Sequence, residues 1–267
     1  MSLAAFQQAQ ADLIASPEDC RSILANEEAL FGQYDLADRE RRRLREMVRQ
    51  RGMAVNCSIY RANRFGPLHG VLPLTCGLLG DRLRPMVDRY WQIAPLDLQS
   101  LPEARRFAGY LRAELGAGLL VCDGLESVLA FDLAVAELRF APRRQLLAAV
   151  QPLETDLRRA RLHPLVRVVS FPFPALPFLQ TLAAGQSSIP EGAAQGLLVD
   201  GRADELILQP LPPGITQALD ALQRGENDWA SSSKKRDLAA HGLVVHSKER
   251  LSDEKGDEND YPIPNIP

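Results

Sequence analysis

The sequence lacks the features that mark membrane-spanning, secreted and disulfide-bonded proteins. It has no run of about 18 apolar residues, which a transmembrane helix requires, and no basic leader precedes its first apolar positions. Four cysteines occur without a close pair, which indicates neither a disulfide framework nor a zinc knuckle: Cys20, Cys57, Cys76 and Cys122. We therefore predict a cytoplasmic protein with reduced, mostly buried thiols.

Motifs of known catalysis are also missing. The four histidines have no HExxH or similar spacing, so neither a metal site nor a cofactor is predicted in this chain. No nucleophile elbow, phosphate loop or dinucleotide fingerprint occurs. Cys57 and Cys76 are candidate nucleophiles, but no sequence feature places a histidine beside either. Buried structural thiols are the favoured interpretation.

Charge and length set further bounds. The 267 residues fit one large domain or two ordinary ones, of which two is favoured, and the net charge of −3 gives no general attraction to nucleic acid or anionic membranes. Seven arginines nevertheless lie between Arg39 and Arg51. Four of them can cover one side of a helix: Arg41, Arg42, Arg45 and Arg49. A solvated face or an acidic protein partner is favoured over phosphate binding, because no aromatic residues are interleaved.

Helical periodicity extends over the first 140 residues. Ser16 with Pro17 predicts a helix start, and Asp35 is expected to cap the arginine-rich helix, which should end near Gly52. Gly66 and Pro67 are expected to kink or end the following helix. A last long helix is predicted from about Leu119 to Phe140.

The pattern changes near residue 141. Leu165 to Phe171 is rich in β-branched residues, and the FPFPALPF segment is expected to be a proline-rich connection between strands. The next elements are a hairpin, two short helices and a terminal strand: Leu197 to Val199 with Leu206 to Leu208, 213–222, 232–240, and 243–245. We predict an α+β fold, with an all-helical domain (1–140), a smaller winged-helix-like domain (141–246) and a flexible acidic, proline-rich tail (247–267).

Two stripes occupy the helix that precedes Gly66. Val55, Ile59 and Ala62 form an apolar stripe at helical spacing, and a second stripe is polar: Asn56, Tyr60, Asn63 and Arg64. A helix of this kind is expected to pack with one face and to offer the other. Asp123 and Glu126 are expected to pair with Arg61 or Arg64, which makes this set a structural polar network or a partner interface.

A family resemblance rests on four segments in order: IYRANRFGPLHGVLPLTCGLLGD, RPMVDRYWQIAP, EARRFAGYL and CDGLESVLAFDLAVAEL. They resemble the helical domain of partner proteins of multinuclear non-haem iron oxidases, a family that includes the methanobactin partner subunit and has also been described as DNA-binding. The matching motif positions are Tyr60, Arg61 and Asn63; Leu72, Pro73 and Gly80; Tyr110 and Leu111; and Asp123, Leu125 and Glu126. The chain departs from the pattern at Ala62 and at the inserted Gly66 and Pro67. Its second half resembles the winged-helix-like leader-recognition modules of ribosomal peptide (RiPP) biosynthesis.

The resemblance implies a non-catalytic partner protein. Such a protein would bind the leader of a precursor peptide and dock it on a TIM-barrel oxidase that holds the iron, which raises the effective concentration of the reacting residue. Candidate peptide-binding residues lie in the hairpin, where an extended peptide can add to a sheet edge: Leu197, Leu198, Val199, Leu206, Ile207 and Leu208. A DNA-binding regulator and a cysteine-dependent enzyme are the alternatives.

Overall fold

The computed structural model describes residues 3–26, 31–94, 99–152, 160–226 and 231–246. Its first part is helical. The elements are α1 (Leu3–Ala15), α2 (Pro17–Ala25), α3 (Asp38–Arg49), α4 (Arg51–Val71), α5 (Pro73–Leu79), a 3₁₀ turn (Gly80–Arg82), α6 (Leu83–Ile93), α7 (Ser100–Gly116), α8 (Leu125–Phe140) and α9 (Arg143–Ala149). Within the described ranges every helix is too short or too polar to cross a lipid bilayer.

The rest of the chain contains both strands and helices. They are β1 (Gln151–Pro152), β2 (Ala160–Leu162), β3 (Val166–Phe171), α10 (Ala175–Ala183), β4 (Gln195–Asp200), β5 (Ile207–Leu211), α11 (Pro213–Gln223), α12 (Ser232–Ala240) and β6 (Val244–His246). The strands form two antiparallel three-stranded sheets, in the orders β1-β6-β2 and β3-β4-β5. The predicted α+β class is confirmed, and the winged-helix likeness stays a prediction.

The predicted order of elements in this part is incomplete, since α10, β1 and β2 were not expected. Helix α10 forms within the proline-rich segment because Pro174 precedes it and Pro177 lies in its first turn, where a backbone N–H has no partner inside the helix. The Ala175 N–H at this end donates instead to the side-chain oxygen of Gln195 at 2.9 Å. Prolines therefore start this helix rather than prevent it.

The chain divides into two compact units, one of residues 1–73 and 89–107 and the other of residues 74–88 and 108–267. The predicted boundary at residue 140 lies inside the second unit. The reason is that α8 packs against β3, where the Ser127 hydroxyl donates to the carbonyl of Ser170 at 2.9 Å. A functional division into residues 1–140 and 141–246 stays a prediction.

In the first unit, α1 to α4 enclose an apolar core. Ser16 caps α2 as predicted, accepting the Asp19 N–H at 3.1 Å. Helix α3 begins after Ala37 rather than after Asp35, and Glu40 accepts the Ala37 N–H at 2.9 Å. The buried residues of this core are Ala9, Leu13, Ile23, Phe31, Leu36, Leu44, Val48, Met53 and Cys57.

Helix α4 continues through Gly66 and Pro67 to Val71, so the helix does not end at this point, and the predicted kink stays a prediction. Proline removes one helical hydrogen bond, and the carbonyl that loses its partner belongs to Asn63. Asn63 and Gly66 lie on the exposed side of the helix, where water can solvate that carbonyl. Pro73 does end the helix as predicted, since α5 begins there.

In the second unit, both faces of the β3-β4-β5 sheet are covered at β3 and β4. Val166, Val168 and Leu198 share one face, and they form a core cluster with residues of α11. Val169, Leu197 and Val199 alternate with them and are equally buried, and α8 and α10 pack against β3 and β4. Because β4 is covered on both faces of the sheet, apolar residues follow one another in its sequence instead of alternating with polar ones.

Candidate functional site

The structure shows which side of α4 packs and which is exposed. Met53, Cys57, Arg64, Leu68 and Val71 are its buried residues, and they follow one another at spacings of three, four or seven. Tyr60 lies on the same face and is half-buried, while Asn56 and Asn63 are exposed. Only Arg64 of the predicted polar stripe is therefore in the protein interior.

The apolar stripe of α4 faces outward. Val55 and Ile59 are each 54% exposed, and Ala62 is exposed beside them. The helix thus packs with the face that carries Arg64 and offers its apolar stripe, which reverses the assignment that apolar character alone suggests. Exposed apolar residues clustered on one helix are typical of interaction surfaces.

Arg64 takes part in a buried ion pair. Its Nη2 lies 3.0 Å from Oε1 of Glu103, and the two side chains are 6% and 1% exposed. Arg106 approaches the other carboxylate oxygen of Glu103 at 3.2 Å. One carboxylate thus binds two guanidinium groups, which fixes α4 against the start of α7 in the first unit.

An aromatic ring completes this group. The guanidinium carbon of Arg64 lies 4.9 Å from the centroid of the Trp91 ring, and that of Arg61 lies 5.7 Å from it. These distances are within the range of cation–π attraction. The ion pair and the ring together account for two of the arginines that the sequence singled out. Glu103 and Trp91 were not predicted as their partners.

Arg64 binds Glu103 rather than Asp123 or Glu126, so that part of the prediction is wrong, and a pairing with Arg61 stays a prediction. Asp123 lies exposed in the turn before α8. Glu126 pairs with Arg112 in an exposed contact, in which the Arg112 Nε lies 3.0 Å from Oε1. Helical spacing cannot tell which of many acidic residues a distant arginine will meet, because that depends on how the helices pack.

The predicted hairpin is present, but its first strand is not a sheet edge. Strand β4 is central, since residues from Val166 to Phe171 pair with it on one side and residues from Ile207 to Leu211 pair with it on the other. Leu197, Leu198 and Val199 are buried as well. An added peptide strand cannot pair with them while the sheet is intact, which leaves β3 and β5 as the possible edges.

The outer edge of β3 is covered by side chains. The Val168 N–H donates to Oε1 of Gln223 at 3.0 Å, and Nε2 of Gln223 donates back to the Val168 carbonyl at 3.4 Å. Two residues further along, Ser127 binds the Ser170 carbonyl. A side-chain amide bonded in this way takes the place of a neighbouring strand. Neither residue was recognised from the sequence.

Strand β5 forms the other edge. The main-chain N–H and carbonyl of Val168 point away from β4. Because these groups alternate in direction along an antiparallel ladder, those of Leu198 point toward β5 and those of Leu208 point out of the sheet. Ile207 and Leu208 are 50% and 38% exposed, and Leu206 lies in the turn before the strand. Pro210 occupies an outward position, which suits an edge because proline has no N–H to offer a ladder. That proline was the available sequence signal.

The cysteines do not support a nucleophile. Cys57 is buried, and its thiol lies 3.5 Å from the Leu13 carbonyl. Burial, with the nearby Asp132 carboxylate, raises the pKa of Cys76 to about 12, which keeps this thiol protonated at neutral pH. Within the described ranges no group of three or more His, Cys, Asp or Glu side chains is arranged to hold a metal ion.

The arginine-rich helix α3 presents only part of the predicted basic face. Arg42 and Arg49 are exposed, whereas Arg41 and Arg45 are half-buried. The Nε of Arg41 donates to the carbonyl of Leu36 at 3.3 Å. This arrangement reduces the number of guanidinium groups that solvent or an acidic partner can reach.

No protein-family model matches the chain, and no curated protein is significantly similar to it. The resemblance to partner proteins of iron oxidases therefore stays a prediction.

Proposed function

We propose that this chain is a non-catalytic partner protein that binds the leader of a RiPP precursor peptide along β5. The observation that supports this is the asymmetry of the β3-β4-β5 sheet. Gln223 and Ser127 occupy the outer edge of β3, whereas β5 carries exposed apolar side chains. Strand addition uses such an edge, since main-chain hydrogen bonds supply affinity and the alternating side chains supply specificity.

The geometry of β5 defines the peptide that fits. Leu208 offers an outward N–H and carbonyl, and Pro210 offers a carbonyl alone. An extended leader would therefore make three main-chain hydrogen bonds over this length. Its apolar side chains would lie beside Ile207 on one face and Leu208 on the other. A leader with closely spaced apolar residues and no proline in this stretch meets these requirements.

The rest of the proposal follows the family resemblance. A TIM-barrel oxidase in the cytoplasm would hold the iron, and the helical part of this chain would dock on it, with the outward stripe of Val55, Ile59 and Ala62 as the favoured contact. Docking would place the precursor near the metal without any catalytic group in this chain.

Reconstitution tests the proposal. The full-length chain is mixed with a fluorescent leader peptide and a barrel oxidase, for which the genes next to its own are searched first. We expect the chain to bind the leader at concentrations on the order of tens of micromolar and to co-purify with the oxidase. Binding to neither partner would reject the proposal. A tight complex with duplex DNA that weakens steeply with salt would favour a regulator instead.

A further inference from the structure

A cavity of about 430 Å³ opens in the second unit, at the opposite edge of the sheet from β5. It lies where β2, the following turn and the start of β3 meet the end of α11. Its polar lining comprises Glu137, Arg161, His163, Arg167 and Gln223. The volume is typical of pockets for small organic ligands.

His163 belongs to the lining of this cavity. The side chain is only 4% exposed, and its Nδ1 accepts the Leu165 N–H at 3.0 Å. The neutral ring therefore carries its proton on Nε2, which makes no hydrogen bond within the described part of the chain. Burial, together with the charge of Arg202, lowers the pKa of His163, so this donor is neutral at physiological pH.

Two arginines add charge. The Nε of Arg167 binds Glu137 at 3.0 Å, and its Nη1 binds the carbonyls of Pro164 and Val166. Its Nη2 has no partner among the described residues. Arg161 donates only to the carbonyl of Ala160 and has no acidic partner within the described ranges. Arg161 and Arg167 carry two positive charges and Glu137 carries one negative charge, so the described lining has an excess of one positive charge.

We propose that this cavity binds a small monocarboxylate with an apolar body. The uncommitted polar groups of Arg161, His163 and Arg167 are all donors, and a carboxylate is an acceptor that also neutralises the excess charge. Leu162, which is half-buried, provides an apolar wall for the rest of the ligand. This site goes beyond leader binding and involves no residue of β5.

Calorimetry on the full-length chain tests the site. Hexanoate and phenylacetate are titrated beside their primary amides, which keep the shape and lose the charge. We expect saturable binding of an acid and at least about tenfold weaker binding of its amide. N-acetylleucine is included because the carboxylate of a peptide C-terminus has the same chemistry, and a preference for it would identify that source.

Variants complete the test. Arg161→Gln should weaken acid binding by about tenfold, whereas Arg236→Gln, which removes an exposed arginine from α12, should leave it unchanged. Equal affinity for acid and amide, equal effects of the two variants, or no binding up to about 10 mM would each overturn the proposal. Leader binding by Arg161→Gln should match wild type, so either proposal can fail without the other.

Discussion

Arg64 and Glu103 form an ion pair 3.0 Å long in the interior of the first unit. Removing one partner from a buried pair leaves an uncompensated charge, which typically costs about 3–5 kcal/mol. Glu103→Gln isolates Arg64 in this way. We expect it to lower the free energy of unfolding by several kcal/mol, measured by urea denaturation.

The matched control is Glu126→Gln, which breaks the exposed pair with Arg112 and should cost no more than about 1 kcal/mol. Arg64→Met should cost less than Glu103→Gln, since Glu103 keeps Arg106 as a partner. If Glu103→Gln proves as mild as the control and Arg64→Met abolishes partner binding with the fold intact, Arg64 belongs to an interface rather than to the core.

Local signals in the sequence predicted most individual elements. The Ser16 cap, the restart at Pro73, the strand before Phe171 and the hairpin around Gly201 each depend on residues close in the chain. Steric and hydrogen-bonding preferences of these residues act over one turn. The helix through Pro67 is the exception. The free-energy cost of a proline inside a helix depends on whether solvent reaches the carbonyl that loses its partner, here that of Asn63.

Long-range relationships in the candidate sites could not be predicted in the same way. Glu103 meets Arg64 across 39 positions, and Gln223 meets Val168 across 55. Neither separation follows from helix or strand periodicity, because both depend on how separate elements pack against each other. The sequence also left open which face of α4 packs inward, because the ion pair and the nearby Trp91 ring allow a charged residue to lie where apolar residues usually do.

Gly196 tests the packing of α11 on the sheet. A Cβ placed on this residue would overlap Oγ1 and Cγ2 of Thr216. Gly196→Ala should therefore destabilise the protein by about 1–3 kcal/mol or more, and Thr216→Ala should partly restore stability. Gly109→Ala is the control, since nothing lies within 4 Å of the added atom in α7. Equal thermal denaturation curves for Gly196→Ala and wild type would contradict this packing.

Asp132 should make stability depend on pH. Burial raises its pKa from 3.8 to about 6, although the Thr75 N–H donates to it at 2.7 Å. Between these values the folded state holds a proton that the unfolded chain has released, so this contribution to stability falls as pH rises. The shift of about 2 units corresponds to roughly 3 kcal/mol.

The measurement is the free energy of unfolding of Asp132→Asn relative to wild type at acidic and neutral pH. The variant does not titrate, so its relative stability should increase across the window from about pH 4 to pH 6. Asp123→Asn removes an exposed carboxylate nearby in sequence and serves as the control for charge removal in general. A pH-independent difference for Asp132→Asn would show that burial does not govern this group.

Cys76 should be chemically inert in the folded protein. Its pKa of about 12 leaves little thiolate at neutral pH, and the side chain is buried. We expect iodoacetamide to label Cys76 only after denaturation, as read by mass spectrometry, while the half-buried Cys122 reacts earlier. Rapid native labelling of Cys76, or loss of peptide modification in a folded Cys76→Ser variant, would support a cysteine-dependent enzyme.

The edge of β5 gives the sharpest test of leader binding. Ile207→Lys and Leu208→Lys place a charge beside the added strand, which natural sheets use to block edge pairing, while both positions are already exposed. Each should weaken leader binding by about tenfold in fluorescence anisotropy and change stability by less than about 0.5 kcal/mol. Ile189→Lys, at an equally exposed position outside the sheet, should bind like wild type. Unchanged affinity in all three variants would place the leader elsewhere, since a peptide paired with Leu208 cannot avoid both side chains.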